Sequence, residues 1–385
     1  MITVIADDLT GAAEIAGICL HYGVGVSFGI DKIPEKQTTI NVIATDTRSK
    51  DEDEAYETHF HLAEDVISKS KNIIFKKCDS VLRGHVLIEL LALADAANKN
   101  KIFLQPSNPK SNRFIKDASY YINDILIENT GFANDPDFPA KTSSVKKRIL
   151  NNVAKQHTLE VHTGDFKEIN TKGIFIPDCD SVEALSECLN LYQKDMIIAG
   201  SAAFFEQFLI KMKLTNSKVD QKEYRYSSNY LLVSGSTHPK SIAFSKTLNK
   251  LNVPLIVFPE TLLETKLNKT FLNEFVNSIA HVYKGRERII LRVSNDRIQL
   301  ENSALNLKTR MSIIAKKLIE TSNINEVFIE GGATAYDLLE ELHWKSFTPI
   351  AELSSGVVRM QYDNDPKKHI TLKPGSYEWS EGLLN

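Results

Sequence analysis

Two adjacent carboxylates follow the first strand-like run of the sequence. Asp7 and Asp8 come directly after the run Ile2–Ala6 and precede a helical stretch whose predicted N-cap is Thr10. In open α/β sheets, ligands bind beyond the carboxyl ends of the strands. Carboxylates at that place could accept hydrogen bonds from hydroxyls, hold a metal ion, or remove a proton from an alcohol. The alternative is that both are acids favoured at a helix start by the helix dipole.

A second group of polar side chains, of both charge signs, follows the strand-like run at 72–75. The group consists of Lys76, Lys77, Asp79, Ser80 and Arg83. A guanidinium can pair with a carboxylate through two hydrogen bonds, and a nearby lysine adds a point charge. The group therefore suits a ligand with a carboxylate and several hydroxyls, although Asp79 and Arg83 could instead form a structural ion pair. Arg48, after the run at 40–44, adds a cation at the same predicted sheet edge.

Glycine-containing turns follow strand-like runs in the second half of the chain. The first contains Ser234, Gly235 and Ser236, and the second contains Gly331, Gly332, Ala333 and Thr334, with Thr334 as the predicted helix cap. Such turns offer backbone N–H groups and a helix N-terminus to an anion. Either turn alone is compatible with an ordinary βα connection, but two in one sheet favour a nucleotide-phosphate site. A third segment would complete it with Lys373, Gly375 and Ser376.

The elements that position these residues are strands separated by helical stretches, which predicts βαβ units and mostly parallel sheets in an α/β fold. Residues 105–145 interrupt this order as loops around a strand or hairpin at 120–127. The chain has 385 residues, more than the roughly 250–300 at which single cores stop growing, so we predict two α/β domains. They are residues 1–217 and residues 230–385, joined by a polar linker at 218–229.

Composition argues against several classes of protein. Lys and Arg number 46 against 49 Asp and Glu, so no basic excess indicates nucleic-acid binding. No apolar run approaches the ~20 residues that span a bilayer, and no signal-peptide pattern precedes the first strand. The four cysteines and ten histidines form neither a disulfide framework nor a metal pattern, and His59 and His61 are read as surface residues. We therefore predict a cytoplasmic protein without a protein-bound metal.

Together these motifs resemble those of the four-carbon acid sugar kinases. The segments IADDLTGA (5–12), KKCDSVLRG (76–84), SGSTHP (234–239) and GGATA (331–335) occur in that family's order. The resemblance implies an N-terminal sugar-acid-binding domain, a C-terminal nucleotide-binding domain and an active site in the interdomain cleft. It also implies transfer of the γ-phosphoryl group of ATP, with Mg²⁺, to the terminal hydroxyl of an acid such as D-threonate, D-erythronate or 3-oxo-tetronate.

The resemblance also implies roles for individual residues. Asp8, or its neighbour Asp7, would orient or deprotonate the attacking hydroxyl. The implied substrate contacts are Asp8, Arg48, Lys77, Cys78, Asp79, Ser80, Arg83 and Arg113. The implied nucleotide contacts are Ser234, Gly235, Ser236, Gly331, Gly332, Ala333, Thr334, Lys373, Gly375 and Ser376.

Two departures from the family pattern keep alternatives open. Ala333 stands where the family usually has an acidic residue, and the tail around Gly375 has fewer glycines than usual. A kinase-like protein that binds both ligands with little turnover is therefore one alternative. An NAD-dependent sugar-acid dehydrogenase is another, which the lack of a GxGxxG motif after the first strand disfavours. The sequence leaves open which acid is the substrate and whether the chain forms a homodimer.

Overall fold

The computed structural model describes residues 1–69, 72–150, 159–216, 226–263, 269–294, 303–375 and 377–379. The chain divides into two compact units, Met1–Lys218 and Val219–Asn385, called unit 1 and unit 2 below. Both units combine helices with mostly parallel strands, which confirms the predicted α/β fold class. Most of the predicted linker, residues 218–225, lies outside the described residues, as does Ser376.

Unit 1 contains eleven strands and six α-helices in its described residues. The strands are β1 Ile2–Ala6, β2 Val26–Ile30, β3 Ile40–Ala44, β4 Ile73–Lys77, β5 Lys101–Gln105, β6 Arg113–Lys116, β7 Ser119–Ile122, β8 Ile125–Leu126, β9 Val161–Gly164, β10 Gly173–Pro177 and β11 Ile197–Gly200. The helices are α1 Leu9–His21, α2 Glu52–Lys69, α3 Val86–Ala96, α4 Val145–Leu150, α5 Val182–Cys188 and α6 Ala202–Lys211.

Eight of these strands form a parallel sheet in the order β2-β3-β1-β4-β11-β5-β10-β9. Strands β1, β2, β3 and β10 are buried along their whole length. Parallel strands buried on both faces carry near-continuous apolar runs, and these runs are why the segments could be predicted as strands from the sequence. The carboxyl ends of β3, β1 and β4 are neighbours, because Ala6 pairs with Ala44 on one side and Lys77 on the other.

A small antiparallel sheet, β6-β7-β8, confirms the predicted hairpin region and adds one strand before it. Asp117 and Ala118 connect β6 to β7 with φ of 49° and 56°, and Asn123 and Asp124 connect β7 to β8 with φ of 49° and 62°. Positive φ at both central residues is the geometry of tight hairpin turns, and Asn and Asp tolerate it well.

Unit 2 contains seven strands and four α-helices in its described residues. The strands are β12 Tyr230–Ser234, β13 Leu255–Val257, β14 Arg288–Arg292, β15 Glu326–Glu330, β16 Ser346–Ser354, β17 Val357–Tyr362 and β18 His369–Lys373. The helices are α7 Pro239–Lys250, α8 Lys269–Val282, α9 Ser303–Thr321 and α10 Gly332–Glu341. Strands β13-β14-β12-β15-β18 are parallel, whereas β17 and β16 continue from β18 in antiparallel order.

The interpretation of His59 and His61 as surface residues is wrong for His59. The His59 side chain is fully buried on the inner side of α2, and its Nδ1 lies 3.1 Å from the Ala55 carbonyl oxygen. Burial lowers the pKa of His59 to about 4, so the ring is neutral near pH 7. His61 is exposed, as predicted for a residue on another helix face. Within the described residues, no helix is long and apolar enough to cross a membrane.

Candidate active site

The end of β1 brings two carboxylates to one guanidinium. Arg48 donates from Nε and Nη2 to Oδ2 of Asp7, at 2.9 and 2.6 Å, and from Nη2 to Oδ1 of Asp8 at 3.3 Å. The same Nη2 lies 3.9 Å from Oδ1 of Asp79. Although burial alone would lower it, these three carboxylates raise the pKa of Arg48 well above its usual value. The predicted grouping of Asp7, Asp8 and Arg48 is therefore present.

Asp8 is also the N-cap residue of α1, and its carboxylate caps the helix. It accepts from the backbone N–H of Gly11 at 3.1 Å and from the Thr10 hydroxyl at 2.5 Å. The predicted cap, Thr10, is wrong, because the helix begins at Leu9 and the threonine lies in its first turn. Asp8 has the extended backbone that a cap requires, with φ −144° and ψ 156°.

The surroundings shift the pKa values of the two adjacent carboxyl groups in opposite directions. The Asp7 side chain is only 2% exposed, and its burial outweighs Arg48 and Lys76 and raises its pKa. The Asp8 side chain is 16% exposed, and there burial is outweighed by Arg48, Lys77 and the Thr10 hydroxyl, which lower the pKa. Asp8 is therefore the accessible, ionised member of the pair, and Asp7 is the buried one that holds Arg48.

Asp79 and Arg83 form the ion pair that the sequence left open as a structural alternative. Arg83 donates from Nε and Nη2 to the two Asp79 oxygens at 3.1 and 2.9 Å, and the backbone N–H groups of Val81 and Arg83 also donate to Asp79. Despite burial, Arg48 and Arg83 hold the pKa of Asp79 well below its usual range. The Arg83 side chain remains 31% exposed, so part of the guanidinium can still reach a ligand.

Lys76 and Lys77 point to opposite faces of β4, as successive residues of a strand must. The ammonium of Lys77 lies 3.7 Å from Oε2 of Glu14 and donates to the Cys78 carbonyl oxygen at 3.1 Å, on the face that carries Asp8. Lys76 is fully buried on the other face. The Cys78 side chain belongs to the hydrophobic core, and its thiol donates to the Lys76 carbonyl oxygen at 3.8 Å.

Arg113 approaches the same end of the sheet from the small antiparallel sheet. Its Nη1 donates to the Ser80 hydroxyl at 2.6 Å. The guanidinium carbons of Arg113 and Arg83 each lie 5.7 Å from the ring centroid of Phe132, a cation–π distance. Asp135 adds a carboxylate 3.5 Å from Arg83 Nη1. The sequence interpretation missed Phe132, because nothing in its local pattern indicates that two distant arginines contact its ring.

In unit 2, the predicted glycine turns meet at the carboxyl ends of β12, β15 and β18. The N–H of Gly235 donates to the Glu330 carbonyl at 3.1 Å, the N–H of Gly331 donates to the Lys373 carbonyl at 3.0 Å, and the Ser236 hydroxyl donates to the Gly375 carbonyl at 3.3 Å. The three predicted nucleotide segments are therefore neighbours within this unit.

Glycine is required at two of these positions. A Cβ at Gly235 would overlap the Thr334 hydroxyl, and Gly331 has a φ of 99°, which side chains rarely adopt. Gly331 is also the N-cap of α10, so the predicted cap, Thr334, is wrong. Gly332, Ala333 and Thr334 form the first turn of that helix, where unpaired N–H groups are available to an anion.

A buried ion pair that the sequence did not indicate lies beneath these turns. Lys373 Nζ lies 3.1 Å from Glu330 Oε1, and it donates to the carbonyl oxygens of Pro374 and Tyr377 at 3.0 and 2.7 Å. The Ser234 hydroxyl and the Trp379 indole N–H both donate to Glu330. The ammonium of Lys373 is thus engaged by the protein and fixes the tail segment that follows it.

Among the residues that the structure describes, no three His, Cys, Asp or Glu side chains are grouped as a metal site. At the end of β1, the place beside the carboxylates is taken by the Arg48 guanidinium.

Comparison with known proteins gives matches over both units. Residues 2–208 match a family described as a sugar-binding N-terminal domain, and residues 231–377 match one described as a nucleotide-binding C-terminal domain. Two solved structures share the fold over 100% of this chain and 98% of theirs. They are HI1011 of Haemophilus influenzae, with a TM-score of 0.71 and 15% identity, and a Salmonella typhimurium LT2 protein, with a TM-score of 0.76 and 17% identity.

Curated relatives carry the names of sugar-acid kinases. A D-threonate kinase of Salmonella typhimurium is 25% identical over 174 residues, which are 44% of this chain and 40% of that protein. A 3-oxo-tetronate kinase of Haemophilus influenzae is 26% identical over 424 aligned positions that cover 100% of both proteins. A D-erythronate kinase of Heliobacterium modesticaldum is 28% identical over 151 residues, 37% of this chain and 34% of that protein. The chain therefore belongs to the family of the four-carbon acid sugar kinases, in which a sugar-binding N-terminal domain precedes a nucleotide-binding C-terminal domain.

Proposed function

We propose that this protein is an ATP-dependent kinase that phosphorylates the terminal hydroxyl of a four-carbon sugar acid. The observation that carries the proposal is the accessible, ionised Asp8 beside the Arg48 guanidinium, which buried Asp7 holds in place. A carboxylate base next to fixed cations suits a substrate that has both an anionic group and a hydroxyl to be activated. The kinase names of the relatives agree with this chemistry.

The side chains of the site suit an anionic, hydroxylated substrate. The cations Arg48, Lys77 and Arg83 can attract an anionic group, and the carboxylates among them, Asp7, Asp8, Asp79 and Glu14, can accept hydrogen bonds from hydroxyls. Arg83 is the most exposed of the cations and is our candidate for the substrate carboxylate, with Arg113 beside it at the Phe132 ring. Asp8 accepts the proton of the attacking hydroxyl in this proposal.

ATP is assigned to the turns of unit 2. The first turn of α10 offers backbone donors to phosphate oxygens, and the Gly235 and Gly375 segments lie beside it. Mg²⁺ would enter with ATP and neutralise charge on the β- and γ-phosphates. Phosphoryl transfer depends on positioning and charge stabilisation, so the acid held by unit 1 must come within reach of the γ-phosphate. The interdomain location of the site, the cytoplasmic location and the homodimer remain predictions.

An ADP-release assay across three- to six-carbon sugar acids tests the proposal. Wild-type protein should release ADP with D-threonate, D-erythronate or a 3-oxo-tetronate, and Asp8→Asn should lower kcat by at least about 100-fold, the usual contribution of a general base. Asp65→Asn, which alters an exposed carboxylate on α2, is the matched control and should leave kcat unchanged. Near-normal turnover of Asp8→Asn would remove Asp8 from the chemistry.

A second candidate is a protein that binds both ligands with little turnover. Ala333 is exposed in the first turn of α10 and supplies no acidic side chain there, and Lys373 is engaged with Glu330. Binding of ATP and a sugar acid in calorimetry, without ADP release by the wild-type protein, would favour this candidate over the kinase.

A further inference from the structure

One oxygen of Asp7 has no hydrogen-bond partner among the described residues. Oδ1 is buried, whereas Oδ2 accepts both hydrogen bonds from Arg48. The cation that faces Oδ1 is the Lys76 ammonium, at 3.9 Å. Asp7 is thus placed between an arginine on the substrate side and a lysine on the core side.

Lys76 is itself held by a carboxylate on α3. Its Nζ lies 2.9 Å from Oε2 of Glu89 and donates to the Lys77 carbonyl oxygen at 2.9 Å. The other Glu89 oxygen accepts from the Thr47 hydroxyl at 2.6 Å and lies 3.9 Å from His59 Nδ1. Lys76, Glu89, Thr47 and His59 are all fully buried, so none of them can touch a substrate.

We propose that Lys76 and Glu89 are positioning residues for the sugar-acid site. Glu89 fixes the Lys76 ammonium beside Asp7, and Lys76 keeps Asp7 in its charged form so that Asp7 holds Arg48 by charge-assisted hydrogen bonds. This inference rests on the proposed function and extends it from the residues that face the substrate to a buried layer behind them.

The charged groups around Asp7 explain why Lys76 affects the protonation of Asp7. Burial raises the Asp7 pKa, while Arg48 and Lys76 lower it, and the carboxylates Glu89 and Asp8 raise it further. These groups lie in the segment after β3, on the strand β4, on the helix α3 and at the cap of α1, and Lys77 at the end of β4 also interacts with Asp7. Without Lys76, less positive charge opposes the effect of burial, so Asp7 binds a proton at higher pH and holds Arg48 less firmly.

The pH dependence has a definite sign. A carboxyl group whose pKa is raised is neutralised as the pH falls. The loss of Lys76 should therefore raise KM for the sugar acid most at acidic pH and least at alkaline pH. A purely structural role of Lys76 predicts no such trend once stability is restored.

The experiment separates stability from positioning. Removing one member of a buried ion pair leaves an unpaired charge, whereas replacing both members by apolar side chains is often neutral for stability. Lys76→Met and Glu89→Gln should each lower Tm, and the double variant Lys76→Met/Glu89→Leu should recover most of the loss. The double variant should nevertheless show a KM raised about tenfold near pH 6 (roughly 1.4 kcal/mol) and raised less near pH 8.5.

The control is the exposed pair of Lys69 and Asp65 on α2, 2.8 Å apart, whose double variant Lys69→Met/Asp65→Asn should change neither Tm nor KM. A double variant at Lys76 and Glu89 with wild-type KM across the pH range would overturn the inference.

A measurement without substrate keeps the inference separate from the proposed function. In ¹⁵N-arginine-labelled protein, the Nε–H resonance of Arg48, assigned by its loss in Arg48→Lys, reports the 2.9 Å hydrogen bond to Asp7. We expect protection of this proton from solvent exchange in wild-type protein and loss of protection at acidic pH in the stable double variant. Equal protection in both would refute the positioning role, even if no sugar acid proves to be a substrate.

Discussion

The substitution Arg48→Lys tests the site most sharply, because it keeps the positive charge and removes the fork of donors. Arg48 makes two hydrogen bonds to Asp7, at 2.9 and 2.6 Å, and a longer one of 3.3 Å to Asp8. The lysine side chain is shorter and ends in one ammonium group, so it can replace at most one of the two short hydrogen bonds. The other bond joins charged groups in a site where Arg48 is only 20% exposed.

The expected magnitude follows from that lost bond. A hydrogen bond to a charged group contributes about 1.5–3 kcal/mol, so we expect the free energy of unfolding to fall by about that amount. If Arg48 also contacts the acid, KM for the acid should rise by about 10- to 150-fold, which is a loss of about 1.5–3 kcal/mol converted into a change in affinity. The turnover number should fall less, because Asp8 keeps Thr10 and Gly11 as partners.

Denaturant unfolding and ADP-coupled kinetics measure the two effects. Arg286→Lys, at an exposed position of unit 2, is the control and should alter neither. An Arg48→Lys protein with unchanged KM and unchanged unfolding free energy would show that the fork to Asp7 contributes neither to stability nor to substrate binding.

Two further substitutions probe the two units separately. In Gly11→Ala, the new Cβ would lie 2.5 Å from Oδ1 of Asp8 and 3.1 Å from Nζ of Lys77. We expect kcat to fall at least about tenfold. The Tm should change little, because the roughly 1 kcal/mol gain in helix propensity offsets the disturbed cap. An unchanged kcat would contradict the position given for Asp8. In Lys373→Met, Glu330 loses its buried cation, so stability should fall by about 3–5 kcal/mol in denaturant unfolding. ATP affinity in calorimetry should fall as well, because the tail is released, and unaltered affinity would separate this tail from the nucleotide site.

The polar residues that follow the strands were the part of the site that could be predicted from the sequence. Buried parallel strands carry continuous apolar runs, so the polar residues that follow them stand out and must meet at one sheet edge. The contacts among Asp7, Asp8, Arg48 and Asp79 confirm that reasoning for unit 1. The meeting of the glycine turns confirms it for unit 2.

Other features depend on tertiary contacts that no local pattern encodes. Glu89 lies on an apolar helix and reads as an ordinary helix acid, yet it is fully buried against Lys76. The antiparallel pair β16 and β17 was missed because β16 alternates buried and half-buried residues and contains Pro349, so it shows no continuous apolar run. The cap of α1 was misassigned because Asp8 and Thr10 are both polar residues that can cap a helix, and the cap of α10 was misassigned because Gly331 caps it without a polar side chain.

The most direct test of the account is the identity of the product. Wild-type protein, incubated with Mg·ATP and the sugar acid that gives the fastest ADP release, should yield one new phosphate ester, and ³¹P NMR coupled to proton shifts should place it on the terminal carbon. Asp8→Asn should bind the same acid and form almost none of that ester. Binding of both ligands with no ester from the wild-type protein, or an ester formed equally well by Asp8→Asn, would contradict the central claim that Asp8 activates a hydroxyl of a bound sugar acid.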